Sequence, residues 1–73
     1  TYFDGDAAQL NLIKAISKLP LKQKTVFNMR YFDELSYADI SEILDTSIGS
    51  LKASYHHAMK KVETHLKESQ SYV

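Results

Sequence analysis

The side chains able to do chemistry are three histidines, His56, His57 and His65, and a scatter of lysines and carboxylates. His56 and His57 are adjacent, which on a helix points them about 100° apart, so they cannot converge on one metal ion. His65 lies too far beyond His57 for a shared helical ligand pair. The acid pair Asp33-Glu34 sits between helical patterns, where solvation accounts for it. There is no cysteine, hence neither a thiolate metal site nor a disulfide framework. No phosphate-binding glycine loop and no nucleophile elbow occurs. The residues imply no enzyme and no cofactor.

What they form instead is a surface. At about 100° per residue, the run Ile48 to Leu66 puts Gly49, Ala53, His56, His57 and Lys60 opposite an apolar stripe, with Lys52 on one flank and Ser50 and Ser54 on the other. Gly, Ala and Ser are small enough for close approach to a flat partner, and Lys and His supply donors and positive charge. Such a face suits the major groove, where base edges need proximity and phosphates need cations. The same pattern is also what any amphipathic helix turns toward water.

Two helices must position this face, and both are legible between Ser36 and Val62. Ser36 is an N-cap with Asp39 at the capping-box position. Tyr37, Ile40, Ile43 and Leu44 mark the inward side of a short helix. Asp45-Thr46-Ser47 breaks it, all three preferring turns or caps. Ser47 caps a second helix whose stripe is Ile48, Leu51, Tyr55, Ala58, Val62 and Leu66. A short connection of this kind predicts two steeply crossing helices, a helix-turn-helix.

Ahead of it, Thr1 to Asp6 reads as a mobile lead-in. A helix from Ala7 to Leu19 carries the stripe Leu12, Ile13, Ile16 and Leu19. Pro20 ends that helix and opens the next, Leu21 to Phe32, with Val26, Phe27, Arg30 and Tyr31 at helical spacing. Residues 7–67 form the domain, and 68–73 read as a frayed tail. No run alternates long enough for a strand. The expected class is all-α: a four-helix domain with a C-terminal helix-turn-helix.

Seventy-three residues make one domain with a small core. Hydrophobic residues are 44% of the chain, enough to fold. No apolar run reaches the length of a membrane span and no signal peptide is visible, so the expected setting is cytoplasmic, with no membrane partner. The first residue is not methionine, which reads as an excised fragment. Net charge is zero, but its distribution is blocked. Lys14 to Arg30 holds cations and no anions; Tyr31 to Thr46 holds Asp33, Glu34, Asp39, Glu42 and Asp45 and no cations. Ser47 to Leu66 is basic again. Such blocks build one positive face with a weak field.

Three runs carry a family resemblance. They are Leu19-Pro20 through Arg30-Tyr31-Phe32, Leu35-Ser36-Tyr37 through Leu44, and Ser47-Ile48-Gly49-Ser50-Leu51-Lys52 through Val62. In this order and spacing they resemble region 4 of extracytoplasmic-function sigma factors, over roughly Ile13 to Leu66. The run Leu51 to Ala58 looks like a variant common in the Bacteroidetes.

The resemblance implies a promoter-recognition domain whose last helix enters the major groove of the upstream (−35) element. It implies double-stranded promoter DNA and the β flap of the RNA polymerase core as partners, and an anti-sigma factor as a further candidate. By position, Lys52, Ala53, His56 and His57 would face bases or nearby phosphates, and Arg30, Ser50 and Lys60 would hold the DNA backbone. Region 2 is absent from the chain. Ser54, His57 and Met59 stand where the family often has arginine, and Asp45 where it usually has glycine. Fewer arginines imply weak independent affinity, with the holoenzyme supplying the rest. Two other classes share parts of the pattern: a LuxR-like DNA-binding domain, and a module that binds only protein.

Overall fold

The computed structural model describes residues 2–70, and the side chains of 9–68. Four helices follow one another: α1 Tyr2–Ser17, α2 Leu21–Tyr31, α3 Tyr37–Leu44 and α4 Ile48–Gln70. The described residues contain no strand. The all-α, four-helix expectation is met, with α3 and α4 as the C-terminal pair.

Each boundary has a local cause. Leu19 N–H donates to the Ile16 carbonyl as α1 unwinds, and Pro20 takes the N-cap of α2. Proline has no N–H to lose there, and its carbonyl accepts from Lys24 N–H at 2.9 Å. The α2–α3 link turns back at Glu34, whose φ is 56°. It is closed by Leu35 N–H on the Met29 carbonyl at 3.1 Å and by Arg30 Nη1 on the Leu35 carbonyl at 3.0 Å.

Two clusters make the core. Ala15, Ile16 and Leu19 meet Phe27, Ala58 and Val62, joining the first helix to the second and fourth. Val26, Ile40 and Leu51 join the second, third and fourth, with Leu35, Tyr37 and Leu44 around them. Tyr55 packs against both. Phe27, Ile40, Leu51 and Val26 are fully buried. Every helix therefore depends on α4.

Several expectations are corrected. The lead-in Tyr2 to Asp6 is helical, part of α1. α4 runs past Lys67 to Gln70, with Glu63 and Lys67 at the favourable i, i+4 spacing. Thr1 and the end of the expected tail, residues 71–73, lie outside the described residues. Ile13, Tyr31, Ile43 and Ile48 were expected inside, yet all are exposed. Each sits on the flank of its stripe, and four helices leave no fifth element to cover it. Along α1 and its exit the inward pattern is 12, 15, 16 and 19, which brings in Ala15 and turns Ile13 outward.

Leu51 is the most demanding position, fully buried where α2, α3 and α4 meet. Leu51→Asp puts an unpaired carboxylate there at a cost of several kcal/mol, of order the whole stability of so small a domain. Circular dichroism and thermal unfolding should show loss of the cooperative transition. A Leu51→Asp chain that stayed helical and cooperative would refute this core assignment.

Candidate nucleic-acid interface

The turn between α3 and α4 is set by short polar side chains. Ser36 Oγ accepts from Asp39 N–H at 3.1 Å and caps α3. Asp45 closes α3 in the left-handed region, φ 53° and ψ 49°, its N–H on the Ser41 carbonyl. Left-handed backbone is more accessible to Asp than to most residues, which is why the break tolerates a non-glycine. Thr46 N–H also reaches the Ser41 carbonyl, and Ser41 Oγ donates to the Thr46 carbonyl at 2.6 Å. Ser47 then caps α4, its Oγ accepting from Ser50 N–H at 3.2 Å. The exit from one helix and the entry to the next are both fixed by these bonds.

With α4 aimed this way, Leu51, Ala58 and Val62 are buried, and Gly49, Lys52, Ala53, His56, His57 and Lys60 are exposed. Ser50 and Ser54 are half-buried at the flank. The structure thus brings Ser50, Lys52, Ala53, His56 and His57 onto the first turns of one helix. Lys60 continues the same face further along; it also lines a groove of about 460 Å³ between α1 and α4, with Lys18, Lys61 and His65. The His56 and His57 rings diverge, with centroids 6.1 Å apart and planes at 63°. No group of three or more His, Cys, Asp or Glu side chains suited to a metal ion occurs among the described residues.

Arg30 comes from α2, not from the helix-turn-helix. It is half-buried, holds the Leu35 carbonyl and lies over the Tyr37 ring, with Cζ 4.9 Å from the centroid. Lys52 Nζ approaches the same ring at 5.9 Å. The sequence reading missed Lys22, whose Nζ lies 3.5 Å from Ser50 Oγ and adds a cation at the start of α4. Its signal was the cationic block before Tyr31, which gives no register against α4. Burial raises the Tyr55 hydroxyl above its ordinary value; Tyr37 and Tyr31 add to this and Arg30 opposes it. Tyr55 therefore stays neutral at the junction behind the face.

A Cβ built on Gly49 meets nothing within 4 Å. Nothing inside the chain requires a glycine there, and the room it leaves faces outward.

A capped short helix, a fixed turn and a long helix with a small, cationic outward face define a helix-turn-helix domain of the DNA-binding kind. The sequence matches the model of the family described as sigma-70, region 4, over residues 9–62. This chain belongs to that family. It is also 38% identical over 53 residues to the ECF RNA polymerase sigma factor SigW of Bacillus subtilis (strain 168), an alignment covering 73% of this chain. The chain spans 28% of the length of that relative. The similarity favours the sigma factors over the LuxR-like regulators. No helix among the described residues is long and apolar enough to cross a membrane.

The Asp45 conformation gives a stability test. Glycine visits the left-handed region without steric cost, so Asp45→Gly should raise stability by about 0.5–1 kcal/mol, whereas Asp45→Val should lower it. Urea midpoints of the three proteins decide the point; a destabilised Asp45→Gly chain would mean that the carboxylate itself holds the turn.

Proposed function

We propose that this chain reads the upstream (−35) element of promoter duplexes for a bacterial RNA polymerase. The first turns of α4 lie in the major groove, with Lys52, Ala53, His56 and His57 toward bases or nearby phosphates, and Arg30, Ser50 and Lys60 along the backbone. The observation that carries this is the face itself: small residues and cations on a helix whose outward direction is set by two caps and a left-handed turn. Membership of the sigma-70 region 4 family supports it.

Docking on the polymerase, through the flap of its β subunit, is the second half of the proposal. A mainly apolar groove of about 240 Å³ runs between α1 and α2, lined by Ile13, Ile16 and Phe32 with Lys24 and Asn28. Ile13 and Phe32 are about half exposed, at 51% and 48%. The groove is made by α1 and α2, which cover the buried stripe of α4, so a partner seated there leaves the outward face of α4 free. Affinity is then divided: the polymerase holds the domain near the promoter, and α4 sets the register.

That division predicts weak binding by the chain alone. With few cations on the face, log K against log salt should have a slope of about −2 to −4. A slope near −8 would show that the chain needs no help from the polymerase.

Close approach is tested separately by Gly49→Leu. The open space around Gly49 and the gain in helix propensity of about 0.5–1 kcal/mol leave the fold intact or firmer. The larger side chain should nevertheless weaken promoter binding about ten-fold or more by holding the helix off the groove. Equal affinity with equal stability would place the DNA elsewhere.

Histidine supplies a third check. Each imidazole offers an N–H donor to a base edge or a phosphate. The His56→Ala, His57→Ala double variant should bind the promoter duplex more weakly than the parent while keeping its thermal stability. Affinity equal to the parent's would remove these residues from the interface.

A further inference from the structure

We infer that Tyr37 is a positioning residue of the DNA interface: its ring gathers the Arg30 and Lys52 cations at one patch, charged and pre-placed to meet the phosphodiester backbone. This rests on the reading of α4 given above, but it names a residue on α3 whose side chain carries no charge.

Arg30 Cζ lies 4.9 Å and Lys52 Nζ 5.9 Å from the Tyr37 centroid, both within the range where the negative face of a ring attracts a cation. The two residues come from different helices, α2 and α4, and two positive charges would otherwise repel. Three constraints keep the arrangement in place. The Arg30 guanidinium is anchored by the Leu35 carbonyl at 3.0 Å. Tyr37 opens α3 directly after its Ser36 cap. Its ring meets Tyr55 edge-on, with centroids 6.4 Å apart. The ring is thus held by the core through Tyr55 while its π system attracts both cations.

The choice of an aromatic platform has an electrostatic consequence. A carboxylate would hold the two cations more strongly but would cancel their charge and compete with phosphate. A neutral ring holds them and leaves the charge available. A free lysine side chain also has considerable rotamer entropy to lose on forming a phosphate contact. Lys52 has lost part of it before DNA arrives, which lowers the ordering cost of binding. In a chain of zero net charge, using each cation well matters more than in a basic protein.

The test measures binding of a short random-sequence duplex at low salt, where phosphate contacts dominate. Tyr37→Leu should weaken binding about five-fold, the ordering cost of about one long side chain, and Tyr37→Phe, which keeps the ring face, should stay within about two-fold of the parent. In the Lys52→Ala background, the penalty of Tyr37→Leu should shrink to about two-fold. Overturning results are a full additive penalty in that background, a Tyr37→Phe protein as weak as Tyr37→Leu, or a Tyr37→Leu protein that binds like the parent.

A second measurement covers the case in which Tyr37→Leu fails to fold. In the parent, the Lys52 side-chain methylene resonances should be shifted upfield by the Tyr37 ring current and should move when duplex is added. Random-coil shifts for Lys52 would overturn the inference. Failure of the underlying reading looks different: Lys52→Ala would then bind the duplex as the parent does. A loss in Lys52→Ala with no effect of Tyr37 would sink the positioning role alone.

Discussion

The stack of Phe27 on Tyr55 is the contact on which the rest of this structure depends. The rings lie 5.5 Å apart with an interplanar angle of 26°, at the place where the two clusters of the core touch. Phe27 belongs to the cluster that fastens α1 and α2 to α4, while Tyr55 borders that cluster and the one holding α3. A chain of this length cannot afford two independent cores. One aromatic pair instead makes the scaffold and the helix-turn-helix a single cooperative unit. Tyr31 extends the stack from one end, 5.2 Å from Phe27, and Tyr37 meets Tyr55 at the other.

This arrangement gives α4 two tasks on opposite sides. Its inward side supplies Leu51, Ala58 and Val62 to the core, and its outward side carries the lysines, histidines and small residues. Rotating it to improve one side would spoil the other, because the positions repeat at the same helical step. The caps at Ser36 and Ser47 and the left-handed Asp45 fix that rotation before any partner arrives. The orientation of the outward face is therefore a property of the turn and the core together.

Much of this was legible in the sequence, and the parts that were not share a cause. Ser36, Pro20, Asp45 and Ser47 act through bonds to their near neighbours, so residue type and spacing were sufficient to place the helix ends around them. The buried residues Ile40, Leu51 and Val62 lay at the centres of apolar stripes. Ile13, Ile43 and Ile48 lay on stripe edges, where burial depends on whether a neighbouring helix reaches them, and periodicity within one helix carries no such information. The Ser47 cap and the stripe from Ile48 to Leu66 were enough to place α4; the distant partners Lys22, beside Ser50, and Tyr37, near Arg30 and Lys52, depend on how helices dock. The lead-in was misread because Asp4-Gly5-Asp6 suits a turn and a helix start almost equally well.

Arg30 shows how the structure changes the meaning of a residue already singled out. From the family resemblance it is a backbone contact, one cation among several. In the fold it ties the α2–α3 link through the Leu35 carbonyl, next to the positive φ at Glu34, and it opposes the burial-driven rise of the Tyr55 hydroxyl. Its side chain is half-buried, so its field acts through a less polarisable surrounding than that of Lys60 at the surface. An arginine placed this way is held by the fold and still presents unused donors, since the planar group carries five N–H bonds. Zero net charge is likewise a matter of placement. The acidic block from Asp33 to Asp45 lies on the α2–α3 link and α3, whereas the lysines lie on the other three helices and at their ends, with Lys52 and Arg30 both drawn to the Tyr37 ring.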